Sequence, residues 1–175
     1  MTVTIPDYVE AEANVAVWFV PAIASATGAP TVAEIAAGVN LTCYSPEVWG
    51  GVTAEQNRGE QRRMCSRETF ETLGRIRRSV ADFTLTYLPQ SLDTPGNTAN
   101  KPIEMMAEGT PGWLVIRYGL DSQAAAVAGQ VVDTLEVISG VQNKATGGGD
   151  EFAPLTYTQG VSSQSQLYEN KVVLA

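Results

Sequence analysis

The chain has 175 residues, enough for one domain with a real core, and carries a formal net charge of −8 with 44% hydrophobic and 17% charged residues. It contains no histidine, which removes Ser-His-Asp and Cys-His catalysis and histidine-bound metals. No apolar run approaches the roughly 18 residues of a membrane span, and the N-terminus "MTVTIPDYVEAEA" lacks the basic start of a signal peptide, so cytoplasmic synthesis is expected.

In chain order, "VAVWFV" (Val15–Val20) reads as a strand. "TVAEIAAG" follows as a helix of about two turns, with Thr31 and Glu34 in capping-box spacing and Gly38 as a left-handed C-cap. "VNLTCY" (Val39–Tyr44) reads as a strand, and turn formers dominate Glu47–Gly59. "RRMCSRETFE" returns to a strand-like pattern. "RIRRSVADFTLTYL" is the clearest long strand, with Phe83, Leu85 and Tyr87 on its core face. "PQSLDTPGNTANKP" is a loop. Lys101–Ala107 is a short helix capped by Asn100, with Pro102 in its first turn, Ile103, Met106 and Ala107 on one face, and Gly109 able to end it. "GWLVIRYG" (Gly112–Gly119) is a strand between glycines. "GQVVDTLEVISGVQNKA" gives one or two strands in which Val132, Thr134, Glu136 and Ile138 oppose Val131, Asp133, Leu135 and Val137. "TGGGDE" is a flexible turn. The order predicts a mainly β fold, a β-sandwich or partly open barrel with one or two short flanking helices and extended arms or loops. The whole of 1–175 reads as a single domain, with 1–14 as an N-terminal arm and 152–175 as a C-terminal arm.

Charge is distributed unevenly. Residues 1–57 hold six acids and no Lys or Arg, a net of −6. Residues 58–78 hold seven arginines against three glutamates, a net of +4, and residues 79–175 return to −6. The arginines are Arg58, Arg62, Arg63, Arg67, Arg75, Arg77 and Arg78. Strong net negative charge opposes approach to DNA, and no aromatic residues interleave with the arginines as a stacking platform requires. Self-complementarity with the acidic surface of a second copy fits better, beside the plain alternative of a solvated charged face. Arg62, Arg63, Arg67, Arg75, Arg77 and Arg78 are therefore the expected subunit or ring interface.

No catalytic motif stands out, and a hydrolase working through carboxylates alone is kept only as a remote alternative. "GGGD" lacks the lysine and helix of a phosphate loop, and Asp150–Glu151 beside it reads as a solvated acid pair. Cys43 and Cys65 match no zinc spacing. A disulfide between them would close about 22 residues, worth roughly 3 kcal/mol. The favoured reading is two reduced, buried thiols. No enzyme activity, metal or cofactor is expected.

Three blocks occur in order: "WFVPAIASATGAPTVAEIAAGVNLTC" (18–43), "CSRETFETLGR" (65–75) and "GTPGWLVIRYG" (109–119). They resemble the major tail proteins, or tail-tube proteins, of long-tailed phages infecting actinobacteria, over roughly residues 15–140. The resemblance implies a β-sandwich-like subunit with a flanking helix, the tube domain alone without an appended immunoglobulin-like domain. It implies six copies to a ring, strands from each lining a central barrel, and rings stacked around a tape-measure protein. Tail terminator and distal tail proteins would be the other partners. The location would be the virion tail, assembled in the host cytoplasm, and the tube would pass DNA into the host without specific binding. Two alternatives remain: a capsid decoration or head–tail connector protein, and a carbohydrate-binding module using Trp49 and Trp113.

Overall fold

A computed structural model describes residues 9–65, 67–91, 98–145 and 153–175. Among these residues the fold is mainly β, a sheet curled as a half-barrel with two short helices. The strands are β1 (Val15–Val20), β2 (Val39–Asn40), β3 (Val52–Arg62), β4 (Thr69–Val80), β5 (Phe83–Thr86), β6 (Pro111–Tyr118), β7 (Val131–Lys144), β8 (Thr156–Ser163) and β9 (Tyr168–Val172). The helices are α1 (Val32–Ala37) and α2 (Lys101–Met105). The main sheet runs β2-β1-β6-β7-β8-β5, every pair antiparallel, and β9 pairs with the first part of β7. β3 and β4 form a separate two-stranded sheet.

Alternation along the central strands sends side chains into two cores, one on each face of the sheet. Val17 and Phe19 of β1, Leu114 and Ile116 of β6, and Leu135 and Val137 of β7 meet Phe83, Leu85 and Tyr157 on one face. Ala16, Trp18 and Val20, with Val115 and Val132, meet Ile35 of α1 and Val173 on the other. This is why β1 and β6 read as nearly continuous apolar runs: they are covered on both sides. Gly112 is required where β6 crosses β1, since a Cβ there would enter the Phe19 ring and lie 3.0 Å from the Val20 carbonyl.

Arg117 of β6 is fully buried yet has many partners. Its guanidinium lies 4.9 Å from the Trp18 ring centroid. It donates to the carbonyls of Asp121 (2.6 Å), Ala124 (2.8 Å) and Ala125 (3.2 Å) and to Gln130 Oε1 (3.0 Å). One side chain thus gathers the 119–130 connection between β6 and β7. Burial lowers its pKa and Asp121 acts against that, but an arginine so solvated by carbonyls stays charged.

The predicted helix after Thr31 is present with both halves of its capping box. Thr31 Oγ1 accepts from the Glu34 amide at 3.2 Å, and Glu34 Oε2 accepts from the Thr31 amide at 2.7 Å. Four local expectations need correction. Gly38 ends α1 in extended conformation, not left-handed, because the chain turns directly into β2. The strand predicted over Val39–Tyr44 stops at Asn40, whose side chain accepts from the Thr42 amide and bends the chain into a 3₁₀ turn. Asn100 precedes α2 but caps nothing; its side-chain amide instead bonds both the amide and the carbonyl of Leu88. The expected helix over Lys101–Ala107 ends at Met105, so the exposed Ala107 lies beyond it; Pro102 and Ile103 are buried within it and Met106 at its C-cap. The segment after Phe152 enters the main sheet as β8 and β9. Asp150, Glu151 and the triple glycine lie outside the described residues.

Candidate assembly surface

The arginine-rich segment forms a long hairpin arm. β3 and β4 pair from Val52↔Val80 to Arg62↔Thr69. Eleven residues of β3 correspond to roughly 36 Å of extended chain. The root is well fixed. Val80 is buried in the first core and Val52 packs against it. The Ala81 amide donates to the Gly51 carbonyl at 3.0 Å, and Trp49 Nε1 donates to the Ala81 carbonyl at 2.9 Å. The Trp49 indole itself stacks on Phe83 at 4.8 Å and 9°. Beyond the root the arm leaves the body, and every described residue from Thr53 to Ser79 except Arg78 is exposed.

This overturns three expectations. Glu47–Gly59 is not chiefly turn: β3 begins at Val52. The described residues 63–65 and 67–68 lie between β3 and β4 and are not strand. The long strand predicted over Arg75–Leu88 is two strands, broken at Ala81–Asp82 where the chain passes from the arm into β5 of the main sheet. The common reason is physical. Beyond its root, both faces of the arm are exposed among the described residues, so its strands lack the apolar–polar alternation that marks a half-buried sheet.

Opposed residues of an antiparallel pair share a face. One face of the arm therefore carries Ala54/Arg78, Gln56/Ile76, Arg58/Leu73, Glu60/Glu71 and Arg62/Thr69. Its ion pairs agree: Arg58–Glu71 at 3.7 Å and Arg62–Glu60 at 3.8 Å both lie on this face. The arginines offset the repulsion of the directly opposed Glu60 and Glu71. Both pairs are highly exposed and contribute little to stability. A register shift between Gln56 and Arg58 places Gly74 and Arg75 opposite Asn57. That extra residue puts Leu73 and Ile76, three apart, on the same face; in a regular strand they would point opposite ways. Leu73 is 68% exposed and Ile76 53%. The other face carries Glu55/Arg77 and Gln61/Phe70, with Phe70 50% exposed.

The predicted interface arginines are thus brought together on one element. Arg62 ends β3, Arg63 and Arg67 lie in the connection, Arg75 sits in the bulge, Arg77 opposes Glu55, and Arg78 lies nearest the root. The arm from Val52 to Val80 carries seven arginines and four glutamates, a net of +3, so the remainder of the −8 chain carries −11. Sequence reasoning missed the apolar half of this surface. The signal available was a stretch rich in strand formers but too polar to bury either face.

The cysteines are corrected as well. Cys43 and Cys65 are free and both are exposed, not buried. Cys43 lies in the 3₁₀ turn before the arm's root and Cys65 at its far end. The length of β3 separates them by tens of ångströms, well beyond the roughly 7 Å Cα limit of a disulfide. Trp49 and Trp113 belong to the two opposite cores, the latter tilted against Tyr168 at 6.0 Å, so they do not form one sugar-stacking platform. Among the described residues no group of three or more His, Cys, Asp or Glu is placed to hold a metal ion. No helix among them is long and apolar enough to cross a membrane.

Comparison with known proteins gives one family and one fold. Residues 2–175 match the family described as phage tail tube protein. No curated protein matches the sequence. Among solved structures, a chain of the six-fold symmetrised cryo-EM structure of the anti-feeding prophage baseplate is similar, with a TM-score of 0.52 at 10% identity, covering 95% of this chain and 97% of that one.

Proposed function

The chain belongs to the phage tail tube protein family, and from that premise we propose that it builds a tube of stacked hexameric rings through which the genome leaves the virion. A structural role in the phage tail follows from the family itself. The six-fold ring is supported by the fold shared with a component of a six-fold baseplate. The observation that carries self-assembly is the arm. An isolated two-stranded hairpin is marginal in water, and this one displays Phe70, Leu73 and Ile76 as exposed side chains. A second copy supplies that cover and an acidic surface for the arginines.

In this reading Arg62, Arg63, Arg67, Arg75, Arg77 and Arg78 lie at contacts between subunits or rings. The tape-measure protein occupies the lumen, terminator and distal tail proteins close the ends, and assembly takes place in the host cytoplasm. The acidic balance of the body suits a conduit, because negative walls repel passing phosphates. The three sequence blocks point to a long-tailed phage of actinobacteria. The subunit has no catalytic part in this scheme. Negative-stain microscopy of the purified protein is the test. Rings or tubes of uniform diameter are expected, and a particle that stays monomeric at high concentration overturns the proposal. Binding along the capsid shell instead of the tail would identify a decoration protein.

A further inference from the structure

Beside the arm's root lies a groove of about 760 Å³ whose wall is mainly apolar, formed by Ala11, Leu41, Pro46, Val48, Trp49 and Phe83. Glu12 and Glu47 stand among its lining residues. The lining includes no Lys or Arg. Val48 is almost fully exposed there, an apolar side chain with nothing over it.

We propose that this groove receives the Leu73/Ile76 face of the arm of a second copy, so that each subunit offers one arm and one receptor. This rests on the self-assembly reading above and specifies the partner surface. Two matches support it. The groove pairs an apolar floor with carboxylates. The arm face pairs two exposed aliphatic side chains with Arg78 on the root side of Ile76 and Arg58 directly opposite Leu73. The arm face as a whole holds Arg58, Arg62 and Arg78 against Glu60 and Glu71, a net of +1, while the groove lining holds two glutamates and no Lys or Arg, so the net signs are opposite.

The occupant is necessarily another molecule. Gly51, which lines the groove, directly precedes Val52, the first residue of the arm. Leu73 opposes Arg58, six residues further out, which places it about 20 Å from the root. A paired hairpin leaving the groove's edge does not fold back into that groove. The contact is therefore heterologous, with donor and receptor on different parts of the surface, and it propagates from copy to copy.

Disulfide trapping tests this on the full-length protein. In a parent with Cys43→Ser and Cys65→Ser, Leu73→Cys is combined with Val48→Cys and the assembled material is oxidised. The expected result is a covalent ladder that extends past the dimer, with each single-cysteine variant stopping at the dimer or below. Microscopic assemblies that give no ladder overturn the groove assignment while leaving the tube reading standing. A parent that never assembles overturns the tube reading and the groove with it. A second measurement guards against a misplaced cysteine pair. Glu12→Arg with Glu47→Arg should abolish assembly while circular dichroism shows the fold intact, and adding Arg58→Glu with Arg78→Glu should restore it. A folded quadruple variant that remains unassembled counts against the pairing.

Discussion

Replacing Arg117 by methionine tests how much one buried guanidinium contributes to this subunit. The side chain is completely buried and makes four hydrogen bonds of 2.6–3.2 Å to the 119–130 connection. Charge-assisted bonds of this kind are worth about 1.5–3 kcal/mol each before compensation. Here the carbonyls of Asp121, Ala124 and Ala125 lie on exposed residues and rehydrate when the donor is lost, which reduces the figure to about 1 kcal/mol per bond. The cation–π contact with Trp18 adds about 1–2 kcal/mol. Methionine regains some of this, because it fills the space without the cost of burying a charge. The expected net loss is about 3 kcal/mol, equivalent to a fall in Tm of roughly 6–12 °C for a chain of this size. Hydrogen exchange should also quicken at the amides of Val127 and Gln130, whose local bonds depend on the same loop conformation. Arg117→Lys should recover only part of the loss, since three ammonium donors do not span four acceptors. Unfolding within 1 kcal/mol of the parent, with unchanged exchange in the loop, would refute the reasoning.

Three further outcomes are expected. Leu73→Asp with Ile76→Asp should leave the thermal unfolding of the isolated subunit unchanged, because both side chains are exposed, yet abolish assembly seen by light scattering. Gly112→Ala should cost about 1–3 kcal/mol in chemical denaturation, as the new methyl meets Phe19 in a filled core. For Glu34, burial raises the carboxyl pKa, but hydrogen bonds from the backbone of Thr31 and Ala24 and the Thr31 hydroxyl outweigh it and leave the pKa lowered. Its stabilising share is therefore present above the ordinary glutamate range and lost as pH falls through the depressed value; Glu34→Ala should cost about 1 kcal/mol at pH 7 and progressively less as the solution is acidified below the ordinary glutamate range.

How far the sequence disclosed this structure depended on what covered each strand. β1, β6 and the Phe83–Tyr87 row were legible because a packed core dictates their composition, and α1 because a capping box is a local signal needing no tertiary context. The arm was not legible as an arm. The described body packs against it only at the root, so its pattern looked like turn in one half and a charge run in the other. Gly74 and Arg75 hide the rule further: the inserted residue breaks the two-residue period at the very place where two aliphatic side chains must be aligned. The arginines were found because charge counting is independent of conformation. The cysteines were misread because burial was inferred from residue type alone: Cys65 lies at the far end of the arm, and Cys43 faces outward from a turn whose Leu41 and Tyr44 face the core.

If arms engage grooves as proposed, the close spacing of arm root and groove gives the assembly a direction. Where every copy extends an arm to a neighbour and accepts one from another, a finished stack displays bare arms at one terminus and vacant grooves at the other. Those two termini differ in chemistry: the first is basic and aliphatic, the second acidic and concave. Whatever starts the structure and whatever stops it must therefore be different molecules, one shaped like a groove and one shaped like an arm. Length control then becomes a question of when a single kind of cap binds, because no cap fitted to one terminus can block the other.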